Sequence, residues 1–183
     1  MNKEKMSDSG FTLVELLVGL AISCIVIVAA YSFVLTGLRS YDMSRKAAEL
    51  QEETQFIENA IVDAVENGKA ASSDISSVTG GGATWTVFDT GYQKVCYDGS
   101  GQLALYDLTD SVGSDIKKHL LSGHVTAFNV AYVLDEYETD PSTGAVKTAL
   151  AAGEKSGLVE VEFEVTLNGK TDRIVKKYKF RNK

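Results

Sequence analysis

An apolar run from Phe11 to Leu38 carries a single charge, Glu15. As a helix the run exceeds the roughly 20 residues needed to cross about 30 Å of hydrocarbon, so the chain reads as membrane-anchored. A carboxylate near the bilayer centre costs roughly 2.5–3.5 kcal/mol on insertion scales, and Glu15 lies only about 6 Å along the helix from Phe11. It needs a cation or a place near the interface. If the chain is cut after Gly10, the α-amine freed at Phe11 is such a cation, on the same chain or on a neighbouring one.

Gly10-Phe11-Thr12-Leu13-Val14-Glu15, behind a short polar leader and ahead of a long apolar helix, resembles the type IV pilin superfamily. Arg39-Ser40-Tyr41 and Leu50-Gln51-Glu52 resemble the J-type (PilW/PulJ-like) minor pilins, and the resemblance covers about residues 10–67. It implies that a prepilin peptidase cleaves between Gly10 and Phe11 and N-methylates Phe11. It also implies that Glu15 guides assembly by meeting the N-terminus of an adjacent subunit. The implied partners are other minor pilins, the major pilin, the prepilin peptidase and the membrane. The implied location is a single-pass cytoplasmic (inner) membrane protein with its head outside, later part of a pilus or pseudopilus at the cell surface.

Two other membrane readings compete. A cleaved secretory signal has an apolar core of about 7–15 residues with its cleavage site after it, whereas here the run is longer and the candidate cut precedes it. An ordinary signal anchor fits the hydrophobicity but leaves Glu15 and the Gly10–Phe11 junction without a reason. Charge does not decide orientation, because Lys3 and Lys5 before the run face Arg39, Arg45 and Lys46 after it.

The expected organisation is a leader over 1–10, a transmembrane and assembly helix over 11–38, the outer half of that helix over 39–67 and a β-rich head over 68–183. Met43, Ala47, Leu50, Thr54, Ile57, Ile61 and Ala64 form one helical face, and Asn67-Gly68 is a stop. A helix from Phe11 to Glu66 would be roughly 84 Å long, so its outer half should pack on the head while its inner half projects. The 183-residue chain then leaves one domain able to bury its own core. The fold class is α+β, a long N-terminal helix with an antiparallel β-sheet head.

Within the head, Ala71–Thr84 reads as a Ser/Thr/Gly loop. Thr84–Phe88, Tyr92–Tyr97 and Gln102–Tyr106 read as strands of an antiparallel meander, with Asp98-Gly99-Ser100-Gly101 a hairpin loop. Asp115–Leu121 reads as a short helix or helical turn, and Val125–Leu134 as a strand. Asp135–Ala152 reads as a long loop with a short strand near Ala145–Leu150. In the last segment Val159, Val161, Phe163, Val165 and Leu167 alternate with Glu160, Glu162, Glu164 and Thr166, and Asn168-Gly169 makes a hairpin turn. Keeping the apolar faces together then sets a Lys/Arg row on the return strand against the glutamates.

The remaining chemistry is sparse. Seven basic residues lie in the last fourteen, Lys170 to Lys183, a stripe a DNA-uptake protein could use for phosphates. Their alternation opposite Glu160, Glu162 and Glu164 favours pairing inside the hairpin. A net charge of −7 argues for solubility and against general nucleic-acid binding. His119 and His124 have no third ligand nearby and read as surface residues, with no metal and no cofactor expected. The acidic stretch Asp135, Glu136, Glu138 and Asp140 lacks the spacing of a calcium loop. Cys24 and Cys96, one in the membrane helix and one in a strand, do not pair; Gram-negative pilins often close a C-terminal loop with a disulfide, and this chain departs from that. No catalytic fingerprint occurs.

These readings converge on a non-catalytic minor pilin or pseudopilin that helps initiate or cap assembly of a type IV pilus. The alternatives are a pseudopilin of a type II secretion or competence DNA-uptake system, the latter adding nucleic acid as a partner, and, in another class, a membrane-anchored ligand-binding or enzyme domain.

Overall fold

The computed structural model describes residues 11–80, 82–112, 119–135, 138–140, 142–143, 145–151 and 153–182. The chain divides into two compact units, Met1–Arg45 and Lys46–Lys183. One helix, α1 (Leu13–Glu66), contributes to both.

In the first unit α1 is apolar all round between Leu16 and Leu38, and its side chains are exposed. This helix is long and apolar enough to cross a membrane. The few polar side chains are satisfied locally: Ser23, Ser32 and Thr36 donate their hydroxyls to the carbonyls of Gly19, Val28 and Ser32 at 2.8, 2.9 and 2.9 Å. Such back-bonding removes free donors from a surface that would otherwise meet hydrocarbon.

In the second unit the stripe that begins with Ala47 becomes the helix's buried face. Leu50, Thr54, Ile57, Ile61, Ala64 and Val65 are buried, as spacings of three and four require. Thr54 fits this apolar row because its hydroxyl donates to the Leu50 carbonyl at 2.8 Å. The helix ends where Asn67 turns its amide onto Asp63, with Nδ2 3.0 Å from the carbonyl and 2.8 Å from Oδ1. Gly68 follows under tight constraint: a Cβ there would lie 2.4 Å from the Thr90 carbonyl oxygen and 2.9 Å from that of Ala64.

After a short 3-10 turn, Ala70–Ser72, the chain builds a meander of β1 (Asp74–Gly80), β2 (Ala83–Asp89), β3 (Gln93–Tyr97), β4 (Leu103–Asp107) and β5 (His119–Ser122). The five lie in sequence order and pair antiparallel. A second sheet has the order β6 (Val125–Val133), β7 (Leu158–Leu167), β8 (Lys170–Lys179), also antiparallel. Phe88, Val95 and Leu103 from the first sheet, Val130, Val159, Val161, Phe163 and Val165 from the second, and the helix stripe form one core. At about 1.5–3 kcal/mol for each fully buried large aliphatic or Phe side chain, this shared core is the main favourable term. Val95, Cys96 and Tyr97 are consecutive and all buried, because the first sheet carries apolar residues on both faces. On the second face Trp85, Val87, Cys96, Ala104 and Tyr106 cluster, with Trp85 edge-on to Tyr106 and its indole donating to the Gly80 carbonyl at 2.9 Å.

The α+β architecture with an antiparallel head is as expected, and three local assignments change. Asp74–Gly80, expected as part of a loop, is the edge strand β1: every residue pairs with β2 although Ser, Thr and Gly give it no apolar face of its own. His119–Leu121, expected to be helical, belongs to β5, where Leu120 pairs with Ala104; the rest of that expected helix, residues 115–118, lies outside the described residues. The short strand expected near Ala145–Leu150 reduces to one isolated bridge, Thr139 to Val146.

Candidate functional site

Gly10, the residue before the expected cut, lies outside the described residues, as does the leader. Phe11 is 81% exposed and stands two residues ahead of the first helical residue, Leu13. Thr12 is therefore the N-cap and Glu15 the third helical position. The Thr12 hydroxyl accepts the Glu15 amide at 3.3 Å and lies 3.5 Å from Oε2 of its carboxylate, while the Leu16 amide reaches the Thr12 carbonyl at 3.2 Å. This is a Thr-x-x-Glu start, in which the Thr12 side chain takes up an amide the helix leaves unpaired and the Glu15 carboxylate folds back toward the Thr12 hydroxyl. The carboxylate also sits at the positive end of the helix dipole. Among the described residues Glu15 has no cation within ion-pair distance. The role of Thr12 was readable from the Thr-x-x-Glu spacing ahead of the apolar run.

In the second unit a contact invisible to local sequence ties α1 to the segment joining the two sheets. Oε1 of Glu53 accepts the Ser122 hydroxyl at 2.5 Å and lies 2.9 Å from Nδ1 of His124. The Ser122 hydroxyl in turn accepts the His124 amide at 2.9 Å. Ser122 is buried, whereas the His124 side chain is 52% exposed. The residue types are those of a hydrolytic triad, but the serine donates to the carboxylate and not to the imidazole. Nothing in this geometry activates the hydroxyl, and the arrangement acts as a tie.

The hairpin charges are placed as parity demands. Glu160 is opposite Lys177 and Glu164 opposite Arg173. Arg173 pairs with Glu162 and lies 3.7 Å from Glu164; Lys177 is 3.9 Å from Glu160, and Lys179 reaches Asp135 at 2.6 Å. Lys176, on the core face of β8, pairs with Glu58 of the helix. The stripe is thus largely engaged inside the head; Lys183 lies outside the described residues. The acidic stretch is also used internally. Glu138 accepts the Ser156 hydroxyl at 2.8 Å and lies 3.9 Å from Lys147, which pairs with Glu154. Asp140 accepts the amide and hydroxyl of Ser142, and Glu136 lies outside the described residues. Cys96 is fully buried and burial pushes its thiol up to about 12, so it stays protonated and inert at neutral pH.

Comparison with known proteins places the signal at the N-terminus. No curated protein and no solved structure matches the chain. Residues 5–31 match the family described as the prokaryotic N-terminal methylation motif, so the chain carries a type IV pilin-like prepilin signal continuous with its apolar helix.

Proposed function

We propose that the chain is a minor pilin or pseudopilin of the J-type group, a non-catalytic subunit that joins other minor pilins and the major pilin in priming or capping a type IV pilus. The observation that carries this reading is the methylation motif over residues 5–31, with Glu15 held in the first turn of the apolar helix that the motif opens. A peptidase at the membrane face cuts between Gly10 and Phe11 and methylates the new amine. Glu15 has only the Thr12 hydroxyl beside it among the described residues, so its charge is available to the Phe11 amine of an adjacent subunit. The apolar helix holds the subunit in the membrane with the head outside until it enters the filament. The charged and polar clusters of the head serve its own packing, which suits a subunit that works through surfaces.

The test is processing. Co-expressed with its cognate peptidase, the wild-type chain should lose residues 1–10 and gain one methyl group at Phe11, while Gly10→Val should remain full-length by intact-mass measurement. Equal maturation of the two would remove the reading.

A further inference from the structure

Exposed strand edges offer unpaired backbone groups to other chains, and folds guard them with charge, shortness or cover. In this head the edge strand β8 carries Lys170, Arg173, Lys176, Lys177 and Lys179, and β5 has only four residues. The edge strand β1 is Ser/Thr/Gly-rich, with Asp74 at its start.

β6 is guarded neither by charge nor by shortness. Its nine residues, Val-Thr-Ala-Phe-Asn-Val-Ala-Tyr-Val, include no charge and no proline. It pairs with β7 on one side. On the other, among the described residues, the only backbone hydrogen bond is from the Val125 amide to the Gly101 carbonyl at 3.1 Å, at the very start of the strand. From Thr126 to Val133 the outer edge has no backbone partner among the described residues, and Thr126, Asn129 and Ala131 are exposed.

The neighbouring strand shows what would pair there. On the outer face β7 presents Glu160, Glu162 and Glu164. On the β8 side they meet Lys177, Val175 and Arg173; on the β6 side they meet Ala131, Asn129 and Ala127. The glutamate row is thus matched by cations along one flank and by short neutral side chains along the other. A strand added beside β6 would lie about 10 Å from β7, two strand spacings, a gap that Lys or Arg and Glu side chains can close together across an alanine. Its alternate residues would point to the opposite face, continuing the row of Phe128, Val130 and Tyr132.

We propose that the outer edge of β6 receives, as an added strand, an extended segment of a partner chain in which Lys or Arg alternates with apolar residues. Main-chain hydrogen bonds supply the pairing, and the glutamate row supplies the choice of partner.

The test uses the full chain in detergent micelles and a capped nonapeptide of alternating Lys and Val. The peptide should protect the amides of Thr126–Val133 from hydrogen exchange, and its affinity should fall as salt rises. An alternating Glu/Val peptide should bind at least tenfold more weakly, as should the Lys/Val peptide N-methylated along the edge that would face β6. Ala131→Lys, which sets a cation beside Glu160, should also weaken binding at least tenfold, while Val175→Lys on the far strand should not. The proposal is overturned if β6 gains no protection, if the Glu/Val or N-methylated peptide binds equally well, or if β6 is already protected by self-association, which would make a second copy the occupant.

Discussion

Replacing Glu53 with alanine should destabilise the head more than its partly exposed setting suggests. The mutation removes the acceptor of two donors at once. One is the Ser122 hydroxyl, buried and left without its acceptor, at a cost of about 1–3 kcal/mol. The other is the half-exposed His124, whose loss adds under about 1 kcal/mol. The sum, about 1–4 kcal/mol, corresponds to a Tm lower by roughly 3–15 °C for a domain of this size. Glu53→Gln keeps a carbonyl oxygen for Ser122 and should cost less than half as much. Adding Ser122→Ala to Glu53→Ala removes the orphaned hydroxyl and should recover about 1 kcal/mol, a non-additivity that isolates the contact. Urea unfolding of the chain in micelles, followed by the fluorescence of buried Trp85, measures wild type, both Glu53 variants, Ser122→Ala and the double alanine. If Glu53→Ala is as stable as wild type, or if the two alanines simply add, Glu53 does not hold the joint between the sheets.

Three further outcomes are expected, the first resting on the proposed function and the others on the geometry of the head. Glu15→Gln retains the capping side chain but not the charge, so membrane insertion should equal or exceed wild type while the subunit is depleted from sheared filaments at matched membrane levels; Glu15→Leu should be depleted likewise, and normal assembly of both would strip Glu15 of its pairing role. Lys177→Glu should destabilise the hairpin and Glu160→Lys should partly restore it, with a coupling of about 0.2–1 kcal/mol in a double-mutant cycle; strict additivity would mean that the two rows do not sense each other. Gly68→Ala drives a methyl group into the Thr90 carbonyl and should cost about 1–3 kcal/mol in urea unfolding, while Gly123→Ala, with no atom within 4 Å, should be near neutral; equal effects would show that the helix exit is not tight.

What the chain announces in advance is periodicity. The 3.6-residue stripe from Leu50 to Ala64 and the two-residue alternation of Val159–Leu167 with Asn168-Gly169 each point to one face, and those faces form the core. Met43 continues the helical stripe yet is exposed, because a pattern marks a face and not its partner. β1 was hidden because an edge strand of Ser and Thr has no apolar alternation and takes its conformation from β2. β5 was hidden because strand structure in His119–Ser122 depends on a neighbour, β4, through a register shift beside Leu103. At the candidate site, Glu15 stood out as a charge in an apolar run, whereas Glu53 lies about seventy residues from Ser122 and His124 and no local pattern links it to them.

The second sheet joins two connections of opposite character. Between β7 and β8 the turn is two residues long, with Asn168 and Gly169 at φ 54° and 76°, so one extra residue there would carry every later side chain to the wrong face. Between β6 and β7 the chain runs through residues 134–157, a loop whose doubling would cost only about 0.6 kcal/mol in closure entropy. Variation within this sheet is therefore channelled: length changes accumulate in 134–157 while the hairpin keeps its length, and a reporter peptide inserted between Ser142 and Thr143 would leave the strands in register.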